Sequence, residues 1–158
     1  RIPEPQLQTV SLNEQVDACR ILMENVCRQR QIRLHRFFDS GNPEVQLDPI
    51  LFEQVLVNIV KNAAESIGHD GDIEIHVYEN PVVLEIADNG TGITKENEDK
   101  LFTPFFSTKP EGQGIGLILI REILTKHGCQ FSLKTYPDGW TRFKICFPHK
   151  IEGESALS

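Results

Sequence analysis

The sequence predicts an α+β domain, a two-layer sandwich in which a mixed, mostly antiparallel sheet has its helices on one face. Helical and strand-like segments do not alternate strictly along the chain, which argues against a purely parallel sheet. Two pairs of strand-like segments flank turn residues, as expected of antiparallel hairpins. The length of 158 residues is that of one ordinary domain with a single core.

The first half of the chain contains two predicted helices and one strand. Ser11 and Glu14 have the spacing of a capping box, and the helix that follows is expected to end near residues 29–31. Apolar residues recur along it at helical spacing, namely Leu12, Val16, Cys19, Met23 and Val26. Residues 31–38 alternate imperfectly, as in a short edge strand. Asp48 can cap free amides and Pro49 has no amide to leave unbonded, so they mark a helix start. That helix runs to about residue 67 and is apolar on nearly all sides, which predicts a buried central position.

The second half contains four strand-like segments in two pairs, each pair joined by turn residues. They are residues 72–78, 82–87, 130–135 and 141–147. An amphipathic helix is predicted between the pairs, at residues 115–127, where Gly128 ends it. Residues 94–100 are polar and include a predicted short helix, whereas residues 101–116 follow no regular pattern.

The charge balance excludes several classes of protein. Sixteen Lys and Arg residues against 23 Asp and Glu residues give a formal net charge of −7, and no basic run could follow a phosphate backbone. We therefore expect no nucleic acid partner. No apolar stretch approaches the roughly 20 residues that cross a bilayer, and no signal-peptide pattern opens the chain. This fragment is expected to be cytoplasmic and to make no membrane contact.

The chain is interpreted as one domain at residues 11–149. Residues 1–10, rich in Pro and Gln, are interpreted as an extended lead-in from an upstream part of a longer chain, and residues 150–158 as a flexible tail. Four cysteines form no CxxC pair and are interpreted as small core residues, namely Cys19, Cys27, Cys129 and Cys146. Five histidines lack metal spacing or an adjacent nucleophile and are expected to be structural or exposed, namely His35, His69, His76, His127 and His149.

Asn58 and Asn62 are polar exceptions on the second predicted helix. A spacing of four residues places their carboxamides on one face, one turn apart. An unpaired buried amide costs on the order of 1 to 3 kcal/mol, so both need polar partners. Those partners are either neighbouring loops or, because amide oxygens suit a hard cation, a Mg²⁺ ion that also binds substrate phosphates.

Asp88 ends a predicted strand and precedes Asn89-Gly90-Thr91-Gly92. A carboxylate in that position can accept a hydrogen bond from an exocyclic amine, and the glycines allow a flat ring to approach the backbone. The same residues also form an ordinary turn sequence. The residues alone leave both interpretations open.

A glycine-rich run at residues 112–116 stands directly before the last predicted helix, whose first amides could surround phosphate oxygens. The run lacks the βαβ setting of a Rossmann motif and the Gly-Lys-Ser/Thr of a Walker loop. Lys109 either contacts phosphate or is merely solvated. Phe102, Phe105 and Phe106 either attach this loop to the core or belong to a mobile cover that closes on a ligand.

Four motifs occur in one order, at residues 58–63 (NIVKNA), 88–93 (DNGTGI), 102–109 (FTPFFSTK) and 112–117 (GQGIGL). In this order they resemble the N, G1, F and G2 boxes of the ATP-binding catalytic domain of sensor histidine kinases. That family lies within the superfamily that also contains gyrase, heat-shock chaperone and mismatch-repair ATPases. The resemblance implies a Bergerat-type sandwich that binds Mg²⁺ and ATP between its helices and a flexible lid at about residues 94–112.

The resemblance also implies roles for individual residues. Asp88 would bind the adenine amine, with Gly90, Gly92 and Ile93 beside the ring and Thr141 supporting the adenine site. Further nucleotide contacts would come from Thr108, Lys109, Gly112, Gly114, Ile115, Gly116 and Leu117. Trp140 stands where the family commonly has a small residue.

Asn58 and Asn62 would be the catalytic residues, and both would hold Mg²⁺ and the nucleotide phosphates. In the related ATPases the residue that matches Asn58 is typically Glu, a general base that prepares water to attack the γ-phosphate. Asn cannot accept that proton at neutral pH. The resemblance therefore implies slow hydrolysis and a γ-phosphoryl group left for a nucleophile from outside the domain.

Together these implications describe an ATP-dependent protein-histidine kinase of a two-component system. None of the five histidines stands in a phosphoacceptor motif, so the acceptor is expected on a separate dimerisation domain of the same kinase. The parent would be a homodimer, with or without a membrane anchor, and a response regulator would receive the phosphoryl group next. Two alternatives on the same fold remain, an anti-sigma-type serine kinase and a nucleotide-binding module that transfers no phosphate.

Overall fold

The computed structural model describes residues 2–39, 41–103 and 115–148. Within these ranges the elements follow in the order β1 (Gln8–Ser11), α1 (Leu12–Gln29), β2 (Ile32–Phe38), β3 (Glu44–Leu47), α2 (Pro49–Ile67), β4 (Gly71–Tyr78), β5 (Val83–Asp88), α3 (Lys95–Glu98), α4 (Ile115–Lys126), β6 (Gln130–Thr135) and β7 (Thr141–Cys146). No helix in the described ranges is long and apolar enough to cross a membrane.

The main sheet has five strands in the order β2-β4-β5-β7-β6. Strands β2 and β4 are parallel, and the other three neighbouring pairs are antiparallel. This arrangement confirms the predicted mixed, mostly antiparallel sheet, including both predicted hairpins and the edge position of β2. The predicted bounds of the helices and of these strands agree with the observed ones to within one or two residues.

Two short strands were not predicted. Strand β1 pairs with β3 in a separate two-stranded antiparallel sheet, in which Gln8 lies opposite Leu47. The chain immediately before α1, expected as a lead-in, therefore includes a strand. Each strand has only four residues, too few for a periodic pattern to stand out, although Val45 and Leu47 of β3 alternate with exposed neighbours.

One face of the main sheet carries the helices. On β4 the side chains of Ile73, Ile75 and Val77 are buried, and they alternate with partly exposed polar ones. Helix α2 packs against that face and against both α1 and α4. Its Phe52 and Val55 are fully buried, and burial of a side chain of this size contributes about 1.5 to 3 kcal/mol. The predicted central position of α2 is therefore confirmed.

Helix α2 begins at a buried cap. Asp48 is 8% exposed, and its Oδ1 accepts hydrogen bonds from the amides of Ile50 and Leu51 at 3.0 and 3.1 Å. Its Oδ2 accepts from the amide of Gln6 at 2.8 Å. One carboxylate thus satisfies two free amides of the helix start and one amide of the N-terminal segment, as the Asp-Pro pair predicts for the helix start.

His127 supports the same cap from the end of α4. The amide of Asp48 donates to His127 Nε2 at 3.0 Å, and His127 Nδ1 lies 2.7 Å from the carbonyl oxygen of Ile123. These partners require a neutral ring with its proton on Nδ1, which donates to the carbonyl. The structural interpretation of this histidine is confirmed, whereas His149 lies outside the described residues.

Two residues expected in the core are not there. Val26 is 37% exposed because the buried stripe of α1 runs instead through Met23 and Cys27. Cys146 is exposed, since alternation along β7 turns it to the open face of the sheet. The other three cysteines are buried as predicted.

Candidate functional site

One row of the main sheet carries two of the polar residues predicted to bind nucleotide, Asp88 and Thr141. Asp88 on β5 lies directly opposite Thr141 on β7, and Thr141 lies directly opposite Thr135 on β6. On the other side of Asp88 the row continues with Ile73 of β4, a core residue. Because alternate residues of a strand share a face, this polar row points to the same side of the sheet as the helices.

Asp88 is a buried carboxylate with few partners. It is 6% exposed, and its Oδ1 accepts one hydrogen bond, from the amide of Gly90 at 2.9 Å. No described residue donates to its Oδ2. Burial raises the pKa of Asp88 to about 6, and the Gly90 amide opposes this rise only in part. Near neutral pH the group is therefore an ionised acceptor with one oxygen available to a ligand.

Thr141 is 5% exposed and belongs to a chain of hydroxyls. Its Oγ1 lies 2.7 Å from Oγ1 of Thr135, and the amide of Ile93 donates to Thr135 Oγ1, also at 2.7 Å. Ile93, predicted beside the adenine ring, and Thr141, predicted to support the adenine site, are thus connected through Thr135, which the sequence did not single out. Thr135 and Thr141 are placed symmetrically about the turn at residues 137–139, and this placement was the sequence feature that could have identified Thr135.

The loop at residues 89–93 packs closely on the end of α2. A Cβ atom added at Gly90 would lie 2.6 Å from the carbonyl carbon of Ser66 and 2.7 Å from the nitrogen of Ile67. The amide of Thr91 donates to the Ser66 carbonyl oxygen at 3.2 Å. The absence of a side chain at Gly90 lets the loop approach the helix, so the structural reason for a glycine here is close packing.

A polar stripe on α2 leads to that loop. Asn58, Asn62 and Ser66 recur every four residues, so they occupy one face over about 12 Å of helix. Both asparagines are half-buried. Asn58 Nδ2 donates to the carbonyl oxygen of Gln54 at 2.8 Å. Because the amide nitrogen makes this bond, the amide oxygen of Asn58 points away from the Gln54 carbonyl. The two asparagines share one face of α2, as their spacing predicts.

The first part of the predicted lid is attached to the core. Thr94 caps α3 by accepting a hydrogen bond from the amide of Asn97 at 3.3 Å. Leu101 is 5% exposed, and the Phe102 ring lies edge-on to those of Phe131 and Phe143, with centroids 5.3 and 6.1 Å away. Of the two interpretations of the phenylalanines, attachment to the core applies to Phe102.

Several predicted site residues lie outside the described ranges, namely Thr108, Lys109, Gly112 and Gly114, together with Phe105 and Phe106. Ile115 begins α4, Gly116 is exposed, and Leu117 packs against the core. In the described part of the chain no group of three His, Cys, Asp or Glu side chains could hold a metal ion.

A two-layer sandwich with a buried strand-end aspartate, a glycine loop and a polar stripe on the facing helix defines a nucleotide-binding ATPase fold. Residues 47–151 match the family described as histidine kinase-, DNA gyrase B- and HSP90-like ATPase. The chain belongs to this family.

Curated relatives place the similarity among sensor kinases. The sensor histidine kinase ZraS of Escherichia coli (strain K12) is 33% identical over 147 residues, which cover 92% of this chain and 32% of that protein. The C4-dicarboxylate transport sensor protein DctS of Rhodobacter capsulatus is 34% identical over 158 residues, which cover 96% and 24%. This chain therefore spans about a quarter to a third of the length of these relatives.

Solved structures agree with that placement. The catalytic domain of histidine kinase ThkA, in a nucleotide-free form, superposes with a TM-score of 0.82 at 29% identity, covering 90% of this chain and 95% of that one. A complex of ThkA with the response regulator protein TrrA gives a TM-score of 0.74 at 26% identity, covering 91% and 42%. The predicted fold and family are confirmed.

Proposed function

We propose that this chain is the ATP-binding catalytic domain of a sensor histidine kinase. It transfers the γ-phosphoryl group of ATP to a histidine on a separate dimerisation domain, and a response regulator then receives that group. The observation that carries the proposal is the buried Asp88, which keeps one carboxylate oxygen without a described donor. Family membership and the similarity to sensor kinases support the reaction.

The adenine end of the site follows from hydrogen-bond chemistry. An ionised carboxylate only accepts hydrogen bonds, so Asp88 selects a purine that presents an exocyclic amine. Gly90, Gly92 and Ile93 border the ring, and Thr141 supplies a hydroxyl next to the carboxylate. A purine with a carbonyl oxygen in place of the amine would offer no amine hydrogen to the second oxygen of this buried carboxylate, and an unsatisfied buried acceptor costs on the order of 1 to 3 kcal/mol.

The phosphate end relies on the stripe of α2. The donor group of Asn58 is held by the Gln54 carbonyl, which suits its amide oxygen to a hard cation, and Asn62 lies one turn further along. Mg²⁺ would neutralise charge on the phosphates. Backbone amides at the start of α4 and in the glycine-rich run before it would bind the phosphates, namely those of Gly112, Gly114, Ile115, Gly116 and Leu117. Side-chain contacts would come from Thr108 and Lys109.

The residue at position 58 decides which nucleophile reacts. Asn has no basic oxygen that could take a proton from water at neutral pH, so hydrolysis by this domain is slow. A neutral imidazole nitrogen needs no such base, because its lone pair attacks phosphorus directly. The bond from phosphorus to nitrogen forms as the bond to the bridging β,γ-oxygen breaks. ADP leaves, and the proton on the other ring nitrogen of the histidine passes to water.

The partners follow from that chemistry. The acceptor histidine belongs to a dimerisation domain of the same kinase, in a parent that is a homodimer, and a response regulator takes the phosphoryl group afterwards. The histidine kinase ThkA has been solved in complex with a response regulator protein, which supports the same class of partner here. The reaction takes place in the cytoplasm, whether or not the parent is anchored in a membrane.

Phosphotransfer tests this proposal. The chain is mixed with the purified dimerisation domain of its parent and ATP labelled in the γ-phosphate, and the acid and base stability of the label is measured. We expect a label that is labile in acid and stable in base, absent when the acceptor histidine is replaced by Gln. An acid-stable label on serine would instead support an anti-sigma-type serine kinase. ADP binding without any transfer would support a nucleotide-binding module.

A further inference from the structure

Thr135 was not among the predicted site residues, yet it contacts two of them. It lies at the end of the edge strand β6, half-buried, and its Oγ1 is 2.7 Å from both the amide nitrogen of Ile93 and Oγ1 of Thr141. Ile93 is in the loop that borders the proposed adenine position, and Thr141 faces Asp88 across the sheet. A single hydroxyl therefore connects two walls of the proposed nucleotide site.

The hydrogen-bonding capacity of that hydroxyl is matched to its neighbours. A threonine hydroxyl offers one hydrogen and two lone pairs. The Ile93 amide uses one lone pair, and the contact with Thr141 uses the hydrogen or the second lone pair. Removal of the Thr135 hydroxyl would therefore release the backbone at Ile93 and the hydroxyl of Thr141 at the same time.

The same side chain also limits the position of the loop by contact. Gly92 has a φ of +83°, and a Cβ atom added there would lie 3.2 Å from Thr135 Oγ1 and 3.3 Å from Thr135 Cγ2. On its other side the loop is bonded to α2, where Thr91 donates to Ser66. The loop thus has one attachment on the helix layer and one on the edge of the sheet, and Thr135 is the second.

We propose that Thr135 is a positioning residue for nucleotide binding. Its hydroxyl fixes the Ile93 backbone and the Thr141 hydroxyl relative to Asp88, so that the purine meets an arranged set of groups. This inference rests on the proposed nucleotide site. Nucleotide affinity depends on the Thr135 hydroxyl because, without it, these groups would have to be ordered when the nucleotide binds, and that ordering lowers the affinity.

The test compares the ADP affinity of variants of this chain by calorimetry. Thr135→Val keeps a β-branched side chain but replaces the hydroxyl by a methyl group. Thr135→Ala also lacks the hydroxyl, and it places no new methyl group near Gly92. We expect both variants to bind ADP about 5- to 20-fold more weakly, because that factor corresponds to the loss of one or two neutral hydrogen bonds. Thr135→Ser keeps the hydroxyl and should bind within about twofold of the parent.

Two measurements separate positioning from a general loss of structure. Thr9→Val is the matched control, because Thr9 is a strand threonine that accepts from Gln46 in the small β1–β3 sheet, and its ADP affinity should equal that of the parent. Hydrogen exchange at the Ile93 amide should accelerate in Thr135→Val and Thr135→Ala and return to the parental rate in Thr135→Ser. Melting temperatures should stay within about 3 °C of the parent.

Unchanged ADP affinity in Thr135→Val and Thr135→Ala would overturn the inference. A loss that Thr135→Ser does not restore would overturn it as well, since shape rather than the hydroxyl would then be responsible. The nucleotide site itself is tested separately by Asp88→Asn. If that variant lost ADP binding while the Thr135 variants did not, the site would stand and the role of Thr135 would be wrong.

Discussion

Two aspartates in this domain are buried to nearly the same extent but have opposite surroundings. Asp48, before α2, is 8% exposed and Asp88, at the end of β5, is 6% exposed. Asp48 accepts hydrogen bonds from the amides of Gln6, Ile50 and Leu51. Asp88 accepts only from the amide of Gly90 among the described residues. The first carboxylate is satisfied by the fold, and the second is not.

The pKa values of the two carboxyl groups differ accordingly. Burial acts to raise the pKa of both carboxyls. At Asp48 the three backbone amides outweigh burial and hold the pKa below its ordinary value. At Asp88 burial prevails, and the pKa rises to about 6. The difference indicates that Asp48 stabilises the fold, whereas Asp88 costs stability and is available to a ligand.

The largest effect is expected at the satisfied carboxylate. Asp48→Ala removes a helix cap and leaves the amide of Gln6 without its acceptor, so we expect a loss of about 3 to 4 kcal/mol of unfolding free energy. Urea denaturation measures it. Asp48→Asn is the matched control, because its amide oxygen can still cap α2, and it should lose less. A loss below about 1 kcal/mol in Asp48→Ala would contradict the structural role.

The opposite sign is expected at Asp88. Burial raises its pKa from 3.8 in the unfolded chain to about 6, so between these values the folded state binds more protons than the unfolded state. The free energy of unfolding therefore falls as the pH rises through this window. Asp88→Asn should be more stable than the parent by about 2 to 3 kcal/mol at pH 8.

The pH dependence of that gain is the sharper part of the prediction. Urea denaturation of both proteins between pH 4 and pH 8 should show the difference shrinking toward zero at the acid end, where the carboxyl of the folded parent is protonated and that of the unfolded chain is partly so. A difference that stays constant over this range would mean that the charge of Asp88 is not the cause.

The smallest effect concerns the loop beside Asp88. Gly90→Ala would place a methyl group within 2.7 Å of the α2 backbone, and we expect a loss of about 1 to 2 kcal/mol of unfolding free energy. At Gly116 an added Cβ meets no atom of the described residues within 4 Å, so Gly116→Ala in α4 should be neutral or slightly stabilising. Equal thermal stability of the two variants would show that the loop can move away from the helix.

The sequence predicted the elements of this fold better than their contacts. Asp48 and Pro49 mark the start of α2 because capping is local chemistry, and alternation marks β4 and β5 because its period is two residues. Strands β1 and β3 escaped detection, since four residues carry little periodic signal. Val26 was expected in the core because both Val26 and Cys27 continue the helical spacing from Met23, and the structure shows that Cys27 is the buried one.

The site shows the same limit. Asp88, Thr141 and the two asparagines of α2 were identified by motif order, and the structure places Asp88 and Thr141 side by side. Thr135 was missed because its meeting with Ile93 depends on strand register and loop path, which no local pattern encodes. The roles assigned to Thr108, Lys109, Gly112 and Gly114 stay predictions, as these residues lie outside the described ranges.

The two aspartates also provide the most direct test of the central claim, that Asp88 is kept for a purine nucleotide. Calorimetric titration of ADP at pH 7.5 should show at least a tenfold weaker affinity for Asp88→Asn, because the amine of the base loses an ionised acceptor. Asp48→Asn, measured at a temperature where it is fully folded, should match the parent within about twofold. Equal ADP affinity of Asp88→Asn and the parent would contradict the account.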